Sequence, residues 1–479
     1  MNQHILTRQI INSHMILHDQ DRTVNYEQLC QMIDIWKSLL IDEYRAKPGQ
    51  SILIDFATPN SYYYSAIWAA LELGLILIVD WPNAYAEQDL TAHRMTMYGR
   101  INFAIVDSSQ IKPNDCNYNY WNLRRTQANC DHIISTSDFK NHQPAHDYSA
   151  LFLATNDSIA TWGASGGTTG AAKLAVNSHK KLLLQSQRHV KIMKYTNTDH
   201  ALHTRNVMFG AGLIYHFLPT WMTAKQHSVL VYTQVDQLIE FVNQYKISRL
   251  FFYTLSGCLE YLDSTSALDH NLRILSIFMI PSTAVELVHK KQIKHLDMIF
   301  GDTTIGGTFF LKTVDADTPV STYEKNCLGR PVDDFFQFRI EDGILWTCIP
   351  ALPQEWRTSG DRFEIKGDQY YFGGRGNRYK IGKEWVVLGD LDQEVERLFG
   401  SGATIVVDAQ DEKIYLSIWK TNANAESELH EYFARNFKQV KISQLVRGLD
   451  PERFTASRKI DREKLRDYFR HYHLKPILA

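Results

Sequence analysis

The chain has 479 residues, which exceeds the size at which a single hydrophobic core stops growing, so we expect at least two structural units. Hydrophobic residues make up 44% of the chain and charged residues 22%, a composition typical of globular proteins. The formal net charge of -2 predicts no basic surface for nucleic acid or for an acidic membrane, so any anion must be bound locally.

The N-terminal segment lacks the apolar run and the small-residue cleavage site of a signal peptide. No run of about 20 apolar residues follows, so we expect no membrane span. The six cysteines are scattered without metal-ligand spacing, as expected of reduced, mostly structural thiols. These features together predict a cytoplasmic protein.

Helix and strand patterns alternate through the first 110 residues. Within "NYEQLCQMIDIWKSLLIDEY", one predicted helix carries an apolar stripe that consists of Leu29, Met32, Ile33, Trp36, Leu39 and Leu40. The strand patterns "SILIDF", "LILIVDW" and "INFAIVD" alternate with the helical patterns "YYYSAIWAALELG" and "LTAHRMTMYGR". This alternation predicts α/β layering, whereas the polar stretch from about 115 to 150 predicts a surface excursion.

A second, smaller pattern begins at "GGRGNRYK". It alternates the segments "EWVVL", "TIVVD", "IYLSIW" and "QVKISQL" with the helical patterns "LDQEVERLF", "ELHEYFARNF" and "DREKLRDYF". The pattern predicts a separate α+β domain of about 100 residues, a common domain size. The predicted fold class is therefore α/β, with a large layered N-terminal domain and a small α+β C-terminal domain.

The stretch "TWGASGGTTGAAKLAVNSHKK" predicts a site for a phosphate group. Its small residues let backbone N–H groups approach an anion closely, Ser165, Thr168 and Thr169 add hydroxyl donors, and Lys173 adds positive charge. The spacing is not that of a Walker loop, because Lys173 follows Gly170 by three positions and precedes Leu174. Taken alone, such a segment is more often an ordinary turn.

The same stretch resembles the phosphate-loop signature TSGTTGxPKGVxxSH of the adenylate-forming superfamily, which comprises acyl-CoA synthetases, aryl and amino acid adenylating enzymes and luciferases. The matching positions are Gly167, Thr168, Thr169, Gly170, Lys173, Ser178 and His179. Further segments resemble family signatures in the family's order: "IFGDTTIGG" (YGxTE), "WRTSGDRFEI" (RTGD), "GGRGNRYKIGKEWVVLGDLDQEV" (the hinge segment) and "TASRKIDREKL" (TxSGKIDRxxL). The resemblance covers essentially the whole chain.

The resemblance implies a nucleotide site and two mobile domains. The implied nucleotide-binding residues are Ser165, Gly166, Gly167, Thr168, Thr169, Gly170, Lys173, Phe300, Gly301, Asp302, Thr303, Asp361 and Arg375. The YGxTE-like segment would close over adenine, with Phe300 stacked on the base, and Asp361 with Arg375 would bind the ribose hydroxyls. Lys459 stands at the position of the catalytic lysine that bridges carboxylate and phosphate oxygens. Gly376 and Asn377 would form the hinge between a large domain, 1–375, and a mobile domain, 376–479.

Each implied role has a plainer alternative. Asp361 in "SGDR" fits an ordinary turn, Phe300 fits a buried strand, and Lys459 fits a solvated charged segment. His179 is expected to orient the following helix rather than to contact a substrate.

The expected substrate is a small carboxylic acid. The segment "HTRNVMFGAGLIYHFLPTWM", where relatives that activate amino acids carry an aspartate, has no acidic residue, which disfavours an amino acid. Its apolar side chains suit a fatty or aryl acid, although they equally suit an ordinary helix core. The candidate pocket residues are Met208, Phe209, Gly210 and Leu213, with Phe217 and Trp221 beyond them.

Three function classes follow. The favoured one is an acid–thiol ligase that uses ATP and Mg²⁺ to form an acyl-adenylate and then transfers the acyl group to a phosphopantetheine thiol of coenzyme A or, slightly favoured, of a carrier protein. Thr304 replaces the family's metal-binding glutamate and Arg458 replaces a glycine, which keeps open a catalytically impaired relative that binds a partner. A phosphotransferase is disfavoured because no catalytic-loop or Walker partner is present.

Overall fold

The computed structural model describes residues 5–19, 22–56, 58–79, 101–107, 130–164, 174–204, 210–232, 234–252, 255–264, 272–277, 280–302, 307–324, 326–349, 356–358, 360–375, 378–381, 384–408, 413–419, 423–436, 440–447, 455–456, 459–460, 465–466 and 468–469. These residues group into two compact units, which comprise the described residues up to 324 and those from 326 onward. The predicted domain boundary between residues 375 and 376 stays a prediction.

The first unit contains a six-stranded sheet built from β3 (Ser51–Asp55), β4 (Ile76–Val79), β5 (Ile101–Val106), β6 (Cys130–Ser135), β7 (Ile159–Ala164) and β8 (Leu174–Ser178). The strand order is β6-β5-β3-β4-β7-β8, and only the pair of β7 and β8 is antiparallel among the described strands. β3 and β4 are buried along their whole length, which explains their continuous apolar sequence.

The second sheet of this unit has eight described strands: β1 (Ile16–His18), β2 (Thr23–Asn25), β9 (His200–His203), β10 (Gln226–Val229), β11 (Arg249–Phe252), β12 (Arg273–Ser276), β13 (His295–Asp302) and β14 (Gly307–Val314). Their order is β14-β13-β12-β11-β9-β10-β1-β2. The edge strands β2 and β14 pair antiparallel with their neighbours, and the strands between them run parallel.

The helices of the first unit are α1 (Tyr26–Ser38), α2 (Ser61–Glu72), α3 (Thr136–Asn141), α4 (His179–Met193), α5 (Gly210–Gly212), α6 (Leu218–Thr223), α7 (Val235–Tyr245), α8 (Leu255–Ser264) and α9 (Ser282–Lys290). Two π-helical turns, Leu39–Glu43 and Leu213–Phe217, extend α1 and join α5 to α6. Short 3₁₀ turns occupy Arg8–Ile10 and Val320–Thr322.

The sequence of α1 shows why this helix forms where it does. The side chain of Asn25 accepts a hydrogen bond from the backbone of Gln28 at 2.9 Å, and the side chain of Gln28 accepts one from the backbone of Asn25 at 3.0 Å. This capping box satisfies two N–H groups that a helix start otherwise leaves unpaired. Every residue of the predicted apolar stripe is buried: Leu29, Met32, Ile33, Trp36, Leu39 and Leu40.

One large core joins α1, α2 and α4 to strands of both sheets. Aromatic rings fill part of it, and the rings of Tyr64 and Phe217 stack with centroids 5.6 Å apart. Trp221 is fully buried beside them and lies 5.2 Å from the ring of Tyr64. Phe217 and Trp221 therefore belong to the helix core, which is the plainer of the two roles considered for them.

The expectation of a surface excursion from about 115 to 150 is wrong for residues 130–141. β6 pairs in parallel with β5 along the edge of the six-stranded sheet, and α3 follows it directly. As an edge strand β6 buries mainly Ile134, so its sequence keeps polar residues that conceal the strand pattern. Residues 108–129 lie outside the described part of the chain.

The second unit begins with β15 (Cys327–Gly329), β16 (Gln337–Glu341), β17 (Ile344–Cys348), β18 (Asp361–Lys366) and β19 (Gln369–Arg375), which form an antiparallel sheet in the order β15-β19-β18-β17-β16. The remaining described elements are β20 (Arg378–Ile381), β21 (Glu384–Val387), α10 (Leu388–Phe399), a 3₁₀ turn (Gly400–Gly402), β22 (Ala403–Asp408), β23 (Lys413–Ile418), α11 (Ala423–Asn436), β24 (Gln444–Arg447), β25 (Thr455–Ala456) and β26 (Lys459–Ile460).

The smaller C-terminal pattern is confirmed in most of its elements. Leu391 and Val395 of α10 and Leu429 and Phe433 of α11 share one core with the apolar residues of β22 and β23. The segment "QVKISQL" contributes a strand only from Gln444 onward. The α/β fold class with a small α+β C-terminal part is thus confirmed, and no helix within the described residues is long and apolar enough to cross a membrane.

A network of four charged side chains lies inside the first unit. Glu72, which is fully buried, accepts hydrogen bonds from Arg8 Nη2 at 2.7 Å and from Lys37 Nζ at 3.0 Å. Arg8 also donates to Asp34 at 2.6 Å. Burial lowers the pKa of Lys37. Burial also acts to lower the pKa of Arg8, but the hydrogen bonds that Arg8 donates to Glu72 and Asp34, together with their negative charges, outweigh it and raise that pKa. The network ties the N-terminal segment to α1 and α2.

Buried histidines of the eight-stranded sheet and of the adjoining π-helical turn lie close together. The rings of His203 and His227 stack with centroids 5.5 Å apart, and His216 in the second π-helical turn lies 4.9 Å from His203. His216 Nε2 also bonds the carbonyl oxygen of Leu202 at 3.0 Å. Burial lowers the pKa of His227 to about 3 and the pKa of His200 and His216 to about 4, so these rings are neutral near pH 7.

The histidine cluster predicts a loss of stability in weak acid. An unfolded histidine has a pKa of about 6.5. Below that pH the unfolded chain binds protons at positions where the buried rings of the folded protein stay unprotonated. We expect the free energy of unfolding to be highest above about pH 6.5 and to fall as the pH approaches 4. Urea unfolding followed by tryptophan fluorescence at several pH values measures this slope.

A matched pair of variants distinguishes the contribution of the histidine cluster to the pH dependence of stability from the effect of acid on the rest of the protein. His227→Phe preserves the stacked ring but removes one titrating group, so the slope should fall by up to about 1.4 kcal/mol per pH unit. Phe217→Leu, a change in the same core, should lower stability at every pH and leave the slope unchanged. A slope for His227→Phe equal to that of the wild type would contradict the prediction.

Candidate functional site

The ends of the predicted phosphate-binding segment are held next to each other. Ala164 of β7 pairs with Leu174 of β8 in the antiparallel hairpin register. Ser165, Gly166, Gly167, Thr168, Thr169, Gly170 and Lys173 themselves lie outside the described residues. After β8 the side chain of Ser178 accepts a hydrogen bond from the backbone of Lys181 at 3.3 Å, which begins α4.

His179, the first residue of α4, has the structural role that we expect from the sequence. Its ring is fully buried, and Nδ1 accepts a hydrogen bond from the backbone N–H of Leu6 at 3.2 Å. Burial lowers the pKa of His179 to about 4, so the ring is neutral and can accept this bond near pH 7. His179 therefore links the N-terminal segment to the start of the helix.

The C-terminal end of α4 is fixed by two arginines. The carbonyl oxygen of Met193 accepts hydrogen bonds from Arg249 Nη1 at 3.2 Å and from Arg273 Nη1 at 3.3 Å. Asp199 and Asp297 hold the two guanidinium groups, each at 2.9 Å. Positive charge at a helix C-terminus stabilises the helix, so α4 is anchored at both ends.

The predicted adenine-binding segment begins at the end of β13. Phe300 is half-buried, and its ring lies 6.3 Å from that of Phe310 across the hairpin. A bulge separates Phe300 from Gly301. A Cβ atom on Gly301 would lie 1.9 Å from the carbonyl oxygen of Gly307, so only glycine fits here. The backbone of Asp302 is described, while Thr303 and Thr304 lie outside the described residues.

Sequence reasoning missed the side chains packed behind this segment. The hydroxyl of Tyr215 would lie 2.8 Å from the same Cβ atom on Gly301. His189 of α4 stands 5.3 Å from the ring of Tyr215, and its Nδ1 is 3.4 Å from the hydroxyl of Thr308. Arg188 donates to the carbonyl oxygen of Thr308 at 2.7 Å. These residues belong to no signature motif. They become neighbours only in the folded chain, around the π-helical turn that contains Tyr215 and the bulge of β13.

The predicted ribose pair is brought together by strand register. Asp361 begins β18 and pairs with Arg375, the last residue of β19. Directly opposed residues of antiparallel strands have Cβ atoms about 5 Å apart. Asp361 is only 4% exposed, whereas the side chain of Arg375 lies outside the described set. A buried carboxylate can accept hydrogen bonds from vicinal hydroxyls, and the backbone of Arg375 lies opposite it.

The turn before Asp361 shows why the "RTSGD" segment has a threonine at position 358 and a glycine at position 360. The hydroxyl of Thr358 donates to the carbonyl oxygen of Leu345 at 2.7 Å and accepts from the backbone of Gly360 at 2.9 Å. Gly360 has a φ of +82°, which side chains of L-residues rarely adopt. This turn directs the chain into β18 and places Asp361 at its first position.

The other predicted residues are only partly described. Lys459 begins the two-residue strand β26 and pairs with Ala456 of β25, although its side chain is outside the described set. Gly376 and Asn377, as well as Met208 and Phe209, lie outside the described residues. Their roles stay predictions.

The two described members of the predicted acid pocket lie on one helical segment. Gly210 is the first residue of α5, and Leu213 opens the following π-helical turn. Leu213 is 2% exposed and belongs to the large core. A role for either residue in binding an acid stays a prediction.

The residues expected to hold magnesium lie largely outside the described side chains. Among residues whose side chains are described, no group of three His, Cys, Asp or Glu is placed to hold a metal ion. Thr304, which stands at the position of the family's metal-binding glutamate, and the side chain of Asp302, a neighbouring carboxylate that could replace that glutamate, lie outside that set.

Comparison with known proteins gives similar folds but no matching sequence. No family model and no curated protein sequence matches the chain. The o-succinylbenzoate coenzyme A synthetase MenE from Bacillus subtilis, in complex with AMP, is 16% identical with a TM-score of 0.77 and covers 98% of both chains. The same enzyme in complex with ATP and magnesium gives a TM-score of 0.76.

Two further solved structures have the same fold. The anthranilate CoA ligase AuaEII, in complex with anthranoyl-AMP, is 13% identical with a TM-score of 0.72, over 96% of this chain and 95% of that one. McyG A-PCP, complexed with phenylalanyl-adenylate, is 15% identical with a TM-score of 0.76, over 96% and 93%. The chain therefore has the fold of the adenylate-forming enzymes.

Proposed function

We propose that the protein uses ATP to activate a small carboxylic acid as an acyl-adenylate and then transfers the acyl group to a thiol. The observation that carries this proposal is the occurrence of the family's signatures, in the family's order, along a chain that has the fold of the adenylate-forming enzymes. Two structural features support the proposal. Asp361 pairs with Arg375 in the strand register, and the packing of the hairpin requires a glycine at position 301, where the family's signature also has one.

The proposed first step joins two anions. A carboxylate oxygen forms a bond to the α-phosphorus of ATP while the bond to the pyrophosphate oxygen breaks, so pyrophosphate leaves. Positive charge and N–H donors at the meeting point lower the barrier. Lys459, Lys173 and the Gly-rich segment 165–170 would supply them, and Asp361 would hold the ribose. Magnesium, which Asp302 or Thr304 would help to hold, neutralises phosphate charge when bound.

In the proposed second step the acyl group moves to sulfur. The thiol loses its proton, its sulfur forms a bond to the acyl carbon, and AMP leaves. A phosphopantetheine thiol of a carrier protein or of coenzyme A would serve as acceptor. The near-neutral chain, with its net charge of -2, slightly favours a carrier protein over the nucleotide end of coenzyme A.

The proposed acid is a fatty or aryl acid. The segment 203–222 contains no acidic residue to pair with the ammonium group of an amino acid. Apolar side chains dominate the stretch that the resemblance assigns to the acid pocket. Of the proteins with this fold reported above, AuaEII was solved with anthranoyl-AMP, an aryl adenylate, and McyG with phenylalanyl-adenylate, an amino acid adenylate.

The alternative proposal is a relative that binds nucleotide but has lost activity. Thr304 and Arg458 motivate it, because a hydroxyl binds a hard dication less well than a carboxylate and Arg458 stands beside Lys459. Such a protein would bind ATP without activating any acid.

The deciding experiment is acid-dependent exchange of labelled pyrophosphate into ATP. A panel of fatty acids, benzoates and amino acids would be assayed, and we expect exchange with a fatty or aryl acid and none with amino acids. Absence of exchange with every acid, together with ATP binding in a calorimeter, would favour the inactive relative. Absence of both would remove the proposed function.

The buried carboxylate of Asp361 gives a direct test of the nucleotide site. Asp361→Asn should weaken ATP binding by about 1 to 3 kcal/mol, the range for a hydrogen bond to a charged group. Isothermal titration calorimetry measures the affinity. Asp342→Asn is the matched control, because Asp342 is exposed in the turn between β16 and β17. Equal affinity in all three proteins would exclude Asp361 from the nucleotide site.

A further inference from the structure

Two neighbouring polar side chains of α4 are buried without a hydrogen-bond partner among the described residues. Gln185 is 2% exposed, and Ser186 is fully buried. Within the described part of the chain, the amide nitrogen and oxygen of Gln185 and the hydroxyl oxygen of Ser186 are all unpaired. A helical serine often bonds the backbone carbonyl of the preceding turn, and Ser186 makes no such bond. Since buried polar groups are nearly always paired, these three atoms indicate a site for a polar molecule.

Both side chains lie on the face of α4 that packs against the helical segment beginning at Gly210. Residues three and four positions apart share one face of a helix, so His189 lies on the same face as Gln185 and Ser186. The ring of His189 is 5.3 Å from the ring of Tyr215, which belongs to the π-helical turn of that segment. The helix and the π-helical turn are therefore packed together along this face.

The helical segment opposite this face is the one that the resemblance assigns to the acid. Gly210 is its first residue, and Leu213 opens its π-helical turn. Both are candidate residues of the acid pocket. The unpaired amide and hydroxyl of α4 thus lie on the helix face that borders the predicted acid pocket.

The chemistry of the two side chains selects an uncharged group. An amide carries both donors and an acceptor, and a hydroxyl carries one donor and accepts as well. A charge at this depth would need a counter-charge, which neither Gln185 nor Ser186 supplies. Arg188, which follows in the same helix, donates to the carbonyl oxygen of Thr308 at 2.7 Å. A hydroxyl group can donate to the amide oxygen and accept from the amide nitrogen.

We infer that the activated acid carries a hydroxyl group, which forms hydrogen bonds with Gln185 and Ser186. The substrate class is then a hydroxy-substituted aryl or fatty acid. This inference rests on the proposed function above and names the class of acid for that site.

Paired acids test the inference in the wild-type protein. Benzoate is compared with its three hydroxy isomers, and hexanoate with hydroxyhexanoates, in the pyrophosphate exchange assay. For at least one hydroxy acid, kcat/KM should exceed that of its parent by about tenfold or more, because a site that bonds a hydroxyl rejects the analogue that lacks it. Benzene dicarboxylates form a third arm. A parent acid or a dicarboxylate that reacts as well as every hydroxy acid would overturn the inference.

Gln185→Met removes the amide and keeps the length of the side chain. It should lower kcat/KM for the preferred hydroxy acid about tenfold and leave that of the parent acid within about twofold. Ser186→Ala should act in the same direction. Gln187→Met is the matched control, because Gln187 is an exposed glutamine of the same helix, and it should behave as the wild type. Equal losses with both acids in Gln185→Met would contradict the inference.

Thermal unfolding of the free protein gives a second measurement that needs no activity. An amide without a partner in the protein adds no hydrogen bond to the fold, so Gln185→Met should not lower Tm. A marked fall in Tm, absent from Gln187→Met, would show that the amide is bonded inside the protein and would overturn the inference.

Failure of the inference differs from failure of the proposed function. If the wild-type protein exchanges pyrophosphate with acids but prefers none that carries a hydroxyl group, only the inference is wrong. If it neither binds ATP in a calorimeter nor exchanges pyrophosphate with any acid, hydroxy acids included, the proposed function fails and the substrate class falls with it.

Discussion

Replacement of Lys459 by alanine is expected to abolish acyl-adenylate formation while ATP binding persists. In the proposed first step a carboxylate and a phosphate meet, and Lys459 would supply the positive charge between them. Loss of one such group typically lowers kcat by about 10² to 10³-fold. Acid-dependent release of pyrophosphate measures the step, and calorimetry measures ATP affinity separately.

The control for Lys459 is an exposed lysine of the same unit. Lys413 begins β23, and Lys413→Ala removes the same charge at a position without any predicted role. Pyrophosphate release by Lys459→Ala at the rate of Lys413→Ala would show that Lys459 is not the catalytic lysine. Equal loss of ATP binding and of pyrophosphate release would instead indicate a misfolded C-terminal part, which circular dichroism would detect.

Glu72→Gln is expected to be the most destabilising of the conservative changes proposed for the fold. The substitution keeps the shape of the side chain but removes the negative charge that faces Arg8 and the fully buried Lys37. Breaking a buried ion pair by removing one partner costs about 3 to 5 kcal/mol, because a charge is left uncompensated. Urea unfolding at pH 7.5, above the range in which the histidines titrate, measures the loss.

Glu286→Gln supplies the comparison for Glu72→Gln. Glu286 is exposed in α9, and a surface substitution of this kind typically changes stability by less than about 0.5 kcal/mol. A loss below about 1 kcal/mol for Glu72→Gln would mean that the network is held by packing rather than by charge.

The elements that sequence reasoning predicted well are those in which the local pattern decides the structure. The apolar stripe of α1 repeats with helical spacing and Asn25 caps it, so neither needs a distant partner. The strands β3, β4 and β5 carry mainly apolar residues because nearly all of their residues are buried. In the C-terminal pattern, likewise, one face of each helix is apolar.

Features that depend on distant residues could not be predicted in this way. Periodicity assigns charged residues to the surface, yet Lys37 and Glu72 are buried because Arg8, far away in the chain, completes the network. The polar sequence of β6 conceals a strand that forms only beside β5. The signature marks Gly301 only as a match, whereas the packed hairpin shows why a glycine is required there: a Cβ atom would collide with the carbonyl oxygen of Gly307.

For the candidate site, the resemblance named residues but not their relations. It assigned Asp361 and Arg375 together to the ribose but not how the fold brings them together; the strand register places their backbones opposite each other. It could not identify Tyr215 or His189, because neither belongs to a signature. Motifs record groups that contact ligands, whereas positioning depends on packing that a linear pattern does not contain.

The place of β1 in the eight-stranded sheet has a consequence for synthesis of the protein. Ile16 pairs with Gln226, a residue about 210 positions later in the chain. At about 5 to 20 residues per second, a ribosome needs roughly 10 to 40 s to reach that partner, and until then β1 and β2 have no sheet to join. Exposed strand edges promote aggregation. A chaperone that binds the waiting segment should therefore raise the yield of folded protein.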